Sequence, residues 1–141
     1  MSVPEGERTE GKFHLGIKAE ELARYTLTIT ANDKVFVPDY QRALTDDIIE
    51  QAKNAYIFIR GANDVVVRMG TPFQEEDWLK REGLQKDAIA CLRRLLCLID
   101  LAYRVFHLSG RRVKYWSAMV IYARKKAESW MESDRRRYSI T

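Results

Sequence analysis

Apolar side chains recur every three or four residues along most of this chain, and four such stretches predict four helices. The first runs from about Leu15 to Asn32, with Leu15, Leu22, Tyr25 and Ile29 at helical spacing and Asn32-Asp33 as a stop. Inside it, Tyr25-Thr26-Leu27-Thr28-Ile29-Thr30 alternates with period two and is rich in β-branched residues, which read alone is a strand. Helix is the better reading, because no second strand follows to pair with it. Val35-Phe36-Val37-Pro38 is an extended connection fixed by its proline. A second helix begins between Asp39 and Thr45, and Leu44, Ile48, Ala52, Ala55 and Ile59 paint one stripe along it. With Thr45 as cap, Asp46 and Asp47 sit in the first turn, at the positive end of the helix dipole. Gly61-Ala62-Asn63-Asp64 ends this helix, and Val65 to Gly70 is a turn or loop.

Thr71-Pro72-Phe73-Gln74 matches a capping box, in which Thr71 accepts from the backbone of Gln74 and Gln74 reaches back. A third helix starts there, with Leu84, Ala88, Cys91, Leu92, Leu95, Ile99, Ala102 and Phe106 as its stripe, and fades at His107-Leu108-Ser109-Gly110. Unbroken from Thr71 to His107 it would be roughly 55 Å long, so a bend or break near Gly83 is expected. The fourth helix covers about Gly110 to Ser133, with Val113, Trp116, Val120, Ala123, Ala127 and Trp130 inward. Aromatics at this spacing are core packing rather than a cofactor box. Four amphipathic helices with short connections bury their stripes most simply as an all-α, antiparallel up-and-down four-helix bundle. The expected organisation is a flexible tail over residues 1–14, the bundle over 15–133, and a basic tail over 134–141.

Composition agrees with one soluble domain. The 141 residues are 46% hydrophobic and include only 7 Gly and 3 Pro, which excludes collagen-like and mostly disordered chains. The apolar runs, such as Val65 to Val67 and Leu95 to Leu98, fall far short of the ~20 residues of a spanning helix. The charged start, MSVPEGERTEGK, lacks an apolar signal core, so a cytoplasmic location is expected. Cys91 and Cys97 are six apart, about 600° around a helix, and read as buried or half-buried thiols rather than a zinc pair or a disulfide. Phe13, Phe73 and Trp78 are candidate exposed apolar residues for subunit contacts.

Catalysis has no foothold. His14 and His107 are the only histidines and neither has the Glu-x-x-His spacing of di-iron bundles. No phosphate-loop, dinucleotide or hydrolase motif occurs. Glu20-Glu21, Asp46-Asp47 and Glu75-Glu76-Asp77 are sequence neighbours that diverge on a helix, and His107 at a helix end reads as a cap. Neither an enzyme nor a cofactor is expected.

Charge changes the picture. Residues 1–100 carry 14 basic and 17 acidic side chains, whereas residues 101–141 carry 10 basic and 3 acidic ones. The overall charge of +4 thus hides a basic last third that attracts polyanions. If Ser109 caps the fourth helix, Arg111, Arg112 and Lys114 crowd its first turn, where cations oppose the dipole by ~0.3–1 kcal/mol each. Helix stability would not choose them, but free N–H groups at that end would join them in holding a phosphate or carboxylate. Arg111, Lys114, Tyr122 and Lys125 fall within about 80° of one another opposite the apolar stripe. Arg124 and Lys126 flank them, and Arg135, Arg136 and Arg137 extend the strip into the tail. Such a surface suits backbone-directed nucleic-acid binding, then an acidic protein, and least an anionic membrane.

Arg24 to Asp33, Tyr40 with Leu44, Ala88-Ile89-Ala90-Cys91 with Leu95 to Ile99, Lys114-Tyr115-Trp116, and Ser133 to Tyr138 form a familiar set. Together they resemble the small bacterial four-helix proteins that include the accessory variability determinant of diversity-generating retroelements. The set is also similar to proteins encoded in ribosomal-RNA intervening sequences. The first resemblance implies a ring-like homo-pentamer that binds RNA or DNA and a reverse transcriptase, has no chemistry of its own, and serves mutagenic copying of a template RNA. The net-acidic first hundred residues depart from a uniformly basic protomer and confine the expected nucleic-acid surface largely to the side of the fourth helix. The alternative is a protein-interaction scaffold, of the intervening-sequence or mobilisation-associated kind, that docks an acidic partner.

Overall fold

The structure, a computed structural model, describes the backbone of residues 5–38 and 41–140 and the side chains of residues 14–38 and 43–140. Four helices carry the fold: α1 (Glu5–Thr30), α2 (Asp46–Asp64), α3 (Gln74–Val105) and α4 (Gly110–Tyr138). Among the described residues there is no strand. Each helix packs on the next, and α1 also packs on α4, so the four enclose a shared core. Leu22, Ile48, Leu92, Leu95, Ile99, Trp116 and Val120 fill it, joined by Phe36 from the connection after α1. No helix among the described residues is long and apolar enough to cross a membrane.

The strand-like segment of α1 is helical because its threonines are satisfied within the helix. Thr26 Oγ1 donates to the Leu22 carbonyl and Thr30 Oγ1 to the Thr26 carbonyl, each at 2.7 Å. Thr26 Oγ1 then accepts from the indole N–H of Trp116 at 3.1 Å, which ties α1 to α4 in the core.

Several expected boundaries move. Helix α1 begins at Glu5 rather than Leu15, so 5–14 are not a tail, while 1–4 lie outside the described residues. Likewise α4 continues through 134–138 because Asp134 and Tyr138 are buried against α3, and a tail could not bury them. Thr45 does not cap α2, since a π-helical turn over Gln41–Thr45 leads straight into it and leaves Thr45 itself in helical geometry. That helix also runs past Gly61, which faces Leu84 of α3 at ordinary contact distance, 3.7 Å from where a Cβ would stand.

The capping box before α3 is offset. Thr71 Oγ1 accepts from the N–H of Phe73 at 3.2 Å, and Gln74 Oε1 accepts from the N–H of Gly70 at 2.8 Å, so the two side chains brace the turn without closing the reciprocal box. Helix α3 passes through Gly83 as one element of 32 residues, about 48 Å at 1.5 Å per residue. It ends in a Schellman turn, in which His107 takes a φ of 51° and the N–H of Leu108 reaches the Tyr103 carbonyl at 3.3 Å. Ser109 caps α4 as expected, accepting from the N–H of Arg112 at 3.1 Å.

Candidate functional site

Helix α4 presents two different sets of cations. Arg111, Arg112, Lys114, Lys125, Lys126 and Arg137 are exposed and make no ion pair with any described carboxylate. The remaining three are neutralised within the chain. Arg124 lies 3.2 Å from Glu128, Arg135 reaches Glu82 of α3 at 3.1 Å and Glu132 at 3.0 Å, and Arg136 lies 3.7 Å from Glu132. The basic strip is therefore strongest over residues 111–126, with Arg137 further along. Placing Arg111 and Arg112 beside the capped start of α4 keeps their charge near free backbone N–H groups, at a cost to the helix.

This strip borders the seam between α1 and α4. Tyr122, 40% exposed, shares a hydrogen bond of 3.3 Å with His14 of α1, and the Lys126 ammonium stands 5.6 Å from its ring centre. Tyr115, 59% exposed, sits one heptad earlier and meets Tyr25 edge to face at 5.3 Å. Burial pushes the Tyr25 phenol above its usual range, opposed by the positive charge of Arg112. A cavity of about 460 Å³ lies between the two exposed tyrosines, floored by Ala118 and Met119. A second of about 460 Å³, lined by Lys126, Ser129, Trp130 and Arg137, shares His14 with the first. Tyr115 is the residue of this surface that the charge pattern does not single out, although its spacing of seven from Tyr122 places both on one helix face.

The α3–α4 seam is built differently. Its groove of about 840 Å³ is lined by Lys86, Arg93 and Arg136 together with Glu128 and Glu132; Arg93 pairs with Glu128, Arg136 with Glu132, and Lys86 with Glu82 on its own helix. At its end lies a buried polar cluster. Arg81 Nε donates to Asp134 Oδ2 at 2.7 Å and its Nη1 donates to the carbonyls of Ala62 and Val65, while Gln85 Nε2 donates to the same Asp134 oxygen at 2.8 Å. The Arg81 guanidinium also stands 5.1 Å from the Trp130 ring centre. This cluster knits α2, α3 and α4, and its Asp134 also lines the cavity that holds Lys126 and Arg137.

Two apolar residues expected at the surface divide. Phe73 is exposed under Arg68, but Trp78 is buried with Val67 and Tyr138, because Tyr138 lies on the extension of α4. Phe13 lies outside the described side chains. The cysteines divide too: Cys91 is buried, its thiol pushed up by burial, whereas Cys97 is exposed rather than half-buried. Comparison with models of known families, with curated proteins and with solved structures finds no match to this chain.

Proposed function

We propose that this chain is a non-enzymatic nucleic-acid-binding accessory protein of a diversity-generating retroelement, acting in the cytoplasm as a homo-oligomer. It holds template RNA or cDNA for a reverse transcriptase. The observation that carries the binding part is the set of six exposed α4 cations that no described carboxylate neutralises, two of them placed where they weaken their own helix. The retroelement context rests on the resemblance of the segments from Arg24 to Tyr138. An antiparallel up-and-down arrangement belongs to the same reading. It is supported by pairings that run in opposite order along neighbouring helices: His14 with Tyr122 but Thr26 with Trp116, and Arg81 with Asp134 but Arg93 with Glu128.

The test is binding of a labelled structured RNA and a matched DNA duplex across a salt series, with mass by light scattering in the same buffer. Reversing Arg111, Arg112 and Lys125 to Glu should abolish binding. In single reversals, the log–log salt slope of duplex affinity should fall by about 0.9 for each phosphate the chain no longer neutralises. Glutamates at 111 and 112 suit the positive end of α4, so the variant should keep its helix content. Affinity unchanged at matched salt refutes the proposal. No binding by the wild-type chain at low salt assigns the face to an acidic protein partner instead.

A further inference from the structure

Resting on the nucleic-acid reading, we infer that the ligand along the α1–α4 seam is a single strand, with bases stacked on Tyr115 and Tyr122. A face built only for duplex phosphates needs cations and no aromatic surface, because the bases of a duplex are stacked on one another. Here the cations border two exposed tyrosines on one face of α4, about 10.5 Å apart along its axis, which is about three nucleotides at 3.4 Å each.

Both rings are held in place before any ligand arrives. Tyr115 rests edge to face on Tyr25, and Tyr122 is fixed by His14 and Lys126. The cavity between them has a floor of small and apolar side chains, Ala118 and Met119. His14 lines a second cavity as well, where Lys126 and Arg137 supply unpaired positive charge beside Trp130. The described carboxylates that line these cavities do not repel a phosphate chain with full charge: Glu21 is paired with Lys18 at 3.3 Å and Asp134 with Arg81 at 2.7 Å. The α3–α4 groove, by contrast, places acidic Glu128 and Glu132 among its cations.

The experiment compares a labelled oligo-dT and oligo-U with a blunt DNA duplex of equal phosphate number, by fluorescence anisotropy over a salt series. Tested chains are the wild type, Tyr115→Ala, Tyr122→Ala, and the corresponding Phe variants, each checked for unchanged helix content. Losing one stacking ring should weaken single-strand binding by about 5- to 150-fold, the range for base–aromatic stacking. The salt slope should stay the same, Tyr115→Phe should bind as the wild type does, Tyr122→Phe should lose less than Tyr122→Ala because it keeps the ring and gives up only the His14 bond, and duplex affinity should move less than about twofold, since phosphate neutralisation alone holds it. Equal losses for single strand and duplex, or Ala variants that bind single strands as the wild type does, overturn the inference and leave the phosphate-binding reading standing. If neither ligand binds at low salt, that underlying reading fails as well.

Discussion

Arg81 Nε and Asp134 Oδ2 lie 2.7 Å apart, and both side chains are only 4% exposed. They are 53 residues apart in sequence and join the first half of α3 to the last turns of α4. Taking two charges out of water is costly, and close pairing with added hydrogen bonds offsets that cost. Gln85 and the carbonyls of Ala62 and Val65 supply those bonds. Removing one partner therefore leaves the other charge buried alone.

Arg81→Met or Asp134→Leu should each lower stability by about 3–5 kcal/mol in urea denaturation. The double variant should lose much less than the sum, because no orphaned charge remains. Additive losses would show that the pair acts only through packing.

His107 holds a left-handed backbone, φ 51°, in the turn between α3 and α4, and its exposed ring makes no described hydrogen bond. An L-residue there carries a steric cost of roughly 1–2 kcal/mol that glycine avoids, partly offset by glycine's greater freedom when unfolded. His107→Gly should raise the melting temperature by about 2–4 °C, and a lower one would show that the imidazole contributes to the turn.

The Arg68 guanidinium and backbone N–H grip Asp77 through three hydrogen bonds of 2.8–3.0 Å. The side-chain bonds from Arg68 first, and the backbone bond second, hold its carboxyl down from 3.8 to about 2. A carboxyl lowered on folding contributes stability above its unfolded value and loses it as pH falls through the folded one. Wild type and Asp77→Asn should thus differ most above pH 4 and converge between about pH 4 and 2, as read by urea midpoints. A constant gap across that window would exclude the linkage.

Thr26 accepts the Trp116 indole N–H in the core while donating to Leu22. Thr26→Val keeps the shape but strands that donor, at about 1–3 kcal/mol, whereas Thr26→Ser should cost less because it retains the hydroxyl. A Val variant as stable as the wild type would show that the indole N–H does not depend on the hydroxyl.

The same residues show how far local pattern reaches. The stripes on α2, α3 and α4 are legible because 3.6-residue periodicity is a local property, and Ser109 is legible as a cap because it acts three residues away. Apolar periodicity alone starts the α3 stripe at Leu84, yet Arg81 and Gln85 lead into it at steps of four and three toward Ala88, and Asp134 and Tyr138 continue that of α4 from Ala127. Polar residues at core spacing are the available signal. Polarity makes them read as surface, although each finds its partner on another helix.

For the candidate interface the division is similar. The excess of Lys and Arg after residue 100, and the misfit of Arg111 and Arg112 at a helix start, are set by the order of residues alone. Which cations stay free is decided by packing, which brings Glu82 to Arg135, and by rotamers along α4, which bring Glu128 to Arg124 and Glu132 to Arg136. The sequence by itself determined four helices, their apolar faces and the basic bias of the last one, because each depends on neighbours within a turn or two. Only the tertiary structure decided that Arg81, Gln85, Asp134 and Trp78 are interior and that Tyr115 and Tyr122 border one groove with His14. Those outcomes depend on residues about 50 to 110 positions apart, whose approach is fixed when the stripes pack and not before.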